Sequence, residues 1–346
     1  MTKAPAEAPL LTVVVPAYNS ESYLEHCLDS LIGSDGVEIL VVNDGSKDGT
    51  EQLAADYAKS HPQVKVISQP NKGHGGAVNT GIAAAQGDYI KVVDSDDWLD
   101  AQALDTLVTA IRAARAAGGG PDLFVTNFLY DRQGATHIHS MQYRGILPGS
   151  KQVTWEQAKR FPTGKYLLMH SLTYRTSILR DSGFALPEHT FYVDNIYAFT
   201  PLRGVRTLSY IDVDLYHYFI GRPDQSVNES VMISRIEQQL RVNRIMFDVL
   251  AQSWNDRALP GALRQYLMHY ARIVTCISGI MLLRSGTPEH LAKKDELFAD
   301  LRQRDAALAR DFENALLIRM LNLPGKAGRR IALAGYTLAN RKYGFN

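Results

Sequence analysis

The chain has 346 residues, 45% hydrophobic and 21% charged, a globular composition with room for one large or two modest domains. Its formal net charge of +1 provides no global field for nucleic acid, so no nucleic-acid partner is expected. Cys27 and Cys276 lie too far apart in sequence to suggest a disulfide framework or a zinc site, and fit a reducing, cytoplasmic setting.

Residues 1–9 carry Pro, Ala and Glu without an apolar core, and read as a flexible tail rather than a signal peptide. Residues 10–16 are apolar and β-branched, a strand stopped at Pro16-Ala17-Tyr18-Asn19. A helix is predicted over 21–32, with Ser20 as its N-cap. Strands at 37–42 and 64–68 flank a polar turn (43–49) and a helix (50–60). A glycine-rich loop (69–76) and a helix (77–85) follow. The next apolar run, with Ile90, Val92 and Val93, ends in Asp94, Asp96 and Asp97. Three carboxylates within four residues repel one another and resist desolvation unless a cation sits between them. Hard divalent ions such as Mg²⁺ or Mn²⁺ take such oxygen ligands. The alternative is a solvated turn that caps the next helix.

Strands alternating with helices predict an α/β fold with a parallel sheet flanked by helices. Ligands in such sheets bind beyond the carboxyl ends of the strands. Tyr18, Asn19, Asp44, Lys72, Asp94 and Asp96 all fall at those ends, which groups them into one site.

Beyond a helix at 101–116, strands are expected at 123–130, 166–174 and 208–218, and a short helix at 176–181. Residues 131–162 are irregular, with room for a hairpin, and 191–199 form an aromatic turn or helix opening around Asp194. From Val231 onward the apolar spacing is helical, and Thr287-Pro288-Glu289 has the composition of a capped helix start. The longest apolar stretch, 273–283, falls short of the roughly 20 residues that span a bilayer, which predicts a soluble or peripheral protein. After Glu313 there are no acids, and six basic residues stand among apolar ones. That tail reads either as a peripheral contact with an anionic membrane or as a helix packed on the domain.

Four stretches carry a resemblance. They are Val13-Val14-Val15-Pro16-Ala17-Tyr18-Asn19, Val41-Val42-Asn43-Asp44-Gly45-Ser46-Lys47-Asp48-Gly49-Thr50, Asn71-Lys72-Gly73-His74-Gly75-Gly76-Ala77-Val78-Asn79-Thr80-Gly81, and Asp94-Ser95-Asp96-Asp97. In this order and spacing the chain resembles a family 2 glycosyltransferase of the GT-A fold, of the type that builds bacterial polysaccharide and cell envelope. The resemblance implies a GT-A domain over 10–228, with 229–346 as an added helical region. It implies a nucleotide-sugar donor, most simply UDP-linked, and a glycan or lipid-linked glycan acceptor. Asp44 would accept from the uracil imide, with Pro16, Ala17, Tyr18 and Asn19 around the base. Lys72, Gly76 and Asn79 would belong to the diphosphate loop, although Val78 stands where the family often has Arg. Asp96 would be the principal ligand of Mn²⁺ or Mg²⁺, with Asp94 and Ser95 beside it toward the donor sugar. Asp97 would be a ligand or only a cap. Asp194 would be the base of an inverting transfer, and Arg222 a diphosphate or acceptor contact. His217 reads as structural, and His74, His137, His139 and His170 as surface or satisfied core. The alternatives are a sugar-phosphate nucleotidyltransferase and a non-catalytic nucleotide-sugar-binding module.

Overall fold

The computed structural model describes residues 8–132, 139–149, 151–221 and 228–343, with side chains through Leu338. The chain divides into two compact units. One comprises residues 1–159, 167–193 and 204–221, and the other 160–166, 194–203 and 222–346.

The first unit is built on a mixed, mainly parallel sheet. Its strands are β1 (Leu11–Ala17), β2 (Val37–Asn43), β3 (Val64–Ser68), β4 (Tyr89–Val92), β5 (Trp98–Leu99), β6 (Leu123–Arg132), β7 (His139–Met141), β8 (Gln152–Thr154), β9 (Leu172–Arg175) and β10 (Thr207–Ile220). They run in the order β3-β2-β1-β4-β9-β6-β10-β5, with β7 on β6 and β8 on β10. All pairings among β1 to β4 are parallel. Every residue of β1, β2 and β4 is buried, as expected of parallel strands covered on both faces. The edge strand β3 is buried only at Val64.

The helices of this unit are α1 (Leu24–Asp29), α2 (Thr50–Ser60), α3 (Gly73–Ala84), α4 (Ala101–Ala116) and α5 (Thr176–Asp181). α2 and α4 match their predicted spans. α1 is shorter than the predicted 21–32, because Ser20 does not cap it. The Ser20 backbone N–H donates to Thr50 and its carbonyl closes a turn at Tyr23, so residues 21–23 lead into the helix without belonging to it. Most of the strand expected over 166–174 is irregular or 3-10 (Met169–Ser171), and only its end enters β9. β9 runs antiparallel between β4 and β6, a reversal that strand–helix alternation does not display.

The second unit is helical: α6 (Asp194–Phe199), α7 (Glu229–Ser234), α8 (Ile236–Trp254), α9 (Gly261–Ser285), α10 (Pro288–Arg304), α11 (Ala306–Asn314), α12 (Leu316–Leu321) and α13 (Gly325–Tyr343). α9 is long and apolar enough to cross a bilayer, yet 83% of its most apolar window is buried inside the protein. A buried polar cluster fixes its register on α8: Asn243 donates to Thr275 (3.2 Å) and accepts from Ser278 (2.5 Å). α9 ends at Gly286, whose φ of 65° suits a left-handed helix stop. Thr287 then caps α10 as its composition predicted, its hydroxyl accepting from the His290 N–H.

Candidate active site

Register brings the first, second and fourth motifs to one sheet end. Ala17 pairs with Asn43, and the Asp44 N–H donates to the Ala17 carbonyl (2.9 Å). Val14 pairs with Val92, so Asp94 emerges beside Pro16. Asn19 takes a positive φ of 50°, a conformation Asn tolerates. Its side chain accepts from the Lys47 N–H (2.8 Å), and its own N–H donates to Ser46 (3.0 Å). Asn19 thus clasps the 43–49 turn against the exit of β1. Tyr18 beside it is 48% exposed, one of few large apolar side chains open to solvent.

Asp44 is buried. Its Oδ1 accepts from Gln69 (2.7 Å) and from the Lys72 N–H (2.8 Å). Its Oδ2 is buried without a hydrogen-bond partner. An unpaired buried carboxylate oxygen is costly, so a donor arriving at that atom would be favoured.

The glycine loop is structured mainly by its own unit. A Cβ on Gly73 would lie 2.9 Å from the His189 nitrogen, and one on Gly75 2.6 Å from the Pro187 carbonyl oxygen. The close approach these glycines allow is therefore made by residues 187–189. Asn79 exchanges two hydrogen bonds with the Leu186 backbone (2.8 and 2.9 Å), an anchoring role for that segment. Lys72 occupies the N-cap position of α3 without a capping side-chain hydrogen bond, and its ammonium stands 3.7 Å from Glu188. Gly76 is packed against the Lys72 side chain, and Val78 is fully buried.

At the end of β4 the carboxylates separate in role. Asp94 Oδ1 lies 2.7 Å from His74 Nε2. Burial works to raise the Asp94 pKa, but the charge and hydrogen bond of His74 outweigh it and hold the carboxyl below its ordinary value. Ser95 is hydrogen-bonded to Ser20 (2.7 Å), which ties this loop to the exit of β1. Asp96 is half-buried in the turn. Asp97 is buried; it accepts from the Tyr216 hydroxyl (2.5 Å) and the Phe219 N–H (2.8 Å). Burial, with Asp96 and Asp94 nearby, pushes its pKa well up. The cap reading of Asp97 is corrected, since Asp100 caps α4 by accepting from Ala103. Tyr216 reaches Asp97 because β10 pairs antiparallel with β5, the strand that follows the carboxylates.

Two histidines enter the site unforeseen. His74 sits in the first turn of α3, next to the Lys72 motif. His170 precedes β9. Continuing the antiparallel register of Ile90 with Tyr174 brings it level with Asp94. Asp94, Asp97 and His170 each offer a ligand atom within 4.8 Å of the others. Burial lowers the His170 pKa to about 4, and its Nδ1 has no hydrogen-bond partner, so the ring is neutral with spare bonding capacity. Clustered acids that disfavour a shared charge, with a neutral imidazole beside them, fit a divalent cation. The described His217 ring stacks on Trp98 and pairs with Asp131 (3.3 Å), in the structural role expected of it. His139 stacks on Tyr130, whereas His137 and Arg222 lie outside the described residues. Asp194 opens α6 in the second unit, half-buried and hydrogen-bonded by Asn195 (3.2 Å).

A GT-A-like sheet with carboxylates and a half-satisfied aspartate at its carboxyl end defines the class, and comparison with known proteins agrees. Residues 12–177 match the family model "Glycosyl transferase family 2". The chain is 30% identical over 226 residues to an uncharacterized glycosyltransferase of Mycoplasma pneumoniae, the MG025 homolog, covering 63% of this chain and 70% of that protein. It is also 30% identical over 236 residues to the putative glycosyltransferase EpsH of Bacillus subtilis, covering 62% of each, so it spans less than two thirds of that relative. The chain belongs to glycosyl transferase family 2. Its fold is similar to that of S. aureus TarS residues 1–349, with a TM-score of 0.69 at 20% identity over 96% of this chain and 91% of that one. A TarS structure in complex with UDP-GlcNAc matches with a TM-score of 0.54 at 18% identity, over 87% and 92%. The mannosyltransferase PcManGT of Pyrobaculum calidifontis, in complex with GDP-Man and Mn²⁺, matches with a TM-score of 0.53 at 17% identity, over 98% and 87%.

Proposed function

We propose that the chain is a metal-dependent, inverting glycosyltransferase that moves a sugar from a UDP-linked donor to an acceptor hydroxyl in polysaccharide or cell-envelope glycan synthesis. The observation that carries this reading is the convergence of Asp44 and the Asp94–Asp97 carboxylates at one end of the sheet. Asp44 Oδ2, buried and unpartnered, suits the imide N–H of uracil, and Tyr18 offers the base an exposed ring. The UDP-GlcNAc bound by TarS supports a UDP-sugar donor, and the Mn²⁺ in PcManGT supports a metal. Asp96 and Asp94 would hold Mn²⁺ or Mg²⁺, with Asp97 and His170 adjoining them. When bound, the ion neutralises charge that develops on the departing diphosphate. Asp94, held ionised by His74, orients the donor sugar.

Asp194 takes the proton from the acceptor hydroxyl. That oxygen forms its bond to the anomeric carbon as the bond to the diphosphate oxygen breaks, with inversion. The acceptor is a glycan or a lipid-linked glycan. Asp194→Asn tests the assignment: UDP release in the presence of acceptor should fall by about 100-fold or more, while UDP affinity stays at the wild-type level. Near wild-type transfer by this variant would remove Asp194 from the mechanism.

A further inference from the structure

The segment after Glu313 contains six basic residues and no acidic one through residue 346. It also concentrates exposed apolar side chains. Of the six large ones exposed among the described residues, four lie here: Leu316 (74%), Leu323 (39%), Ile331 (53%) and Leu338 (67%). On α13 the exposed residues include Ala327, Ile331, Ala334 and Leu338, whose spacing of four, three and four places them on one face. Lys326 and Arg330 are exposed and flank that stripe. Gly328 and Ala332, each one residue beyond a member of the stripe, are buried on the adjoining face.

A helix on a protein surface ordinarily turns its apolar stripe inward and its charges outward. α13 carries a second apolar stripe outward, with cations at its margin. Beneath α12 and α13 lies a cavity of about 230 Å³, lined by Ile273, Ile277 and Ile280 of α9 and by Met320, Ala332 and Tyr336 among others. The element is thus apolar on both sides. An outward apolar stripe bordered by Lys326, Arg330 and the neutral Thr337 complements a surface that is anionic above and hydrocarbon below.

We propose that α12 and α13 form a docking face for an anionic lipid bilayer. α13 lies along the interface, with Ile331 and Leu338 entering the acyl region and Lys326 and Arg330 on lipid phosphates. Binding comes from apolar burial and from cations near the surface, and neither requires donor or acceptor to be present.

The test uses the full chain in co-sedimentation with vesicles of equal parts phosphatidylglycerol and phosphatidylcholine, against vesicles of phosphatidylcholine alone. The wild type should sediment with the anionic vesicles and release as salt is raised. Lys326→Gln with Arg330→Gln should weaken binding about 30-fold, taking each cation near the surface at its usual strength. Ile331→Ser with Leu338→Ser should also abolish sedimentation. Both pairs are exposed, so the thermal midpoint should hold. The proposal is overturned if the wild type ignores anionic vesicles, binds both kinds equally, or binds unchanged after either double substitution. It is equally overturned if equilibrium sedimentation shows a dimer that Ile331→Ser with Leu338→Ser dissolves, because a second copy would then cover the face.

Discussion

Asp44 and Asp97 are both buried at one end of the sheet, and their partners set them apart. Asp97 has both oxygens engaged, by Tyr216 and Phe219, and its environment opposes its charge. Asp44 has one oxygen engaged twice and the other not at all. The first arrangement supports a neighbouring charge, and the second leaves room for a donor. A third aspartate, Asp212, is a carboxylate fully engaged by partners within the fold. Arg144 lies 2.6 Å away, Asn127 and Tyr210 also donate to it, and its pKa falls from 3.8 to about 2. A depressed carboxyl pKa stabilises the fold above the ordinary value, and that gain disappears as pH falls through about 2. Arg144 is well exposed, so after screening the contribution is about 1 kcal/mol. Asp212→Asn should cost that amount in urea unfolding at pH 7 and progressively less as the pH approaches 2. An equal cost at both ends would mean that the charge is irrelevant. At this scale the sequence displayed Asp44, Asp94 and Asp96 because they fall within a few residues of the end of an apolar strand. It did not display His170, whose place depends on the antiparallel entry of β9.

The elements nearest the site are held by small residues in tight contact. α3 lies on β1 at Gly81, where an added Cβ would stand 2.2 Å from Val14 Cγ1. Since Val14 is itself fully buried between β2 and β4, it cannot yield. Gly81→Ala should therefore destabilise the protein by about 1–3 kcal/mol through overpacking, despite the better helix propensity of Ala. Chemical denaturation measures it, and a stabilised variant would refute the packing account. α2, α4 and α10 were legible from periodicity and caps. The bounds of α1 and most of the 166–174 segment were not, because Ser20 serves a tertiary contact and the chain around His170 is shaped by neighbours in the sheet. The glycine loop was legible as a close approach, but its partner, residues 187–189, lies more than 100 residues downstream.

For the whole molecule, the family match ends at residue 177, while the helical unit extends far beyond it. The helical apolar spacing from Val231 onward set the C-terminal region apart in sequence. It could not show that residues 160–166 and 194–203 also belong to the helical unit, since that grouping is made by contacts. Asp194 also belongs to that unit. The central claim of the proposed reaction is that the first unit binds a UDP-sugar through a metal held by Asp96 and Asp94. Calorimetric titration of UDP into the wild type and Asp96→Ala, with and without Mn²⁺, tests it most directly. The account predicts binding to the wild type that strengthens at least about tenfold with Mn²⁺, and no such strengthening in Asp96→Ala. UDP binding that is indifferent to Mn²⁺, or equal in the two proteins, would contradict it.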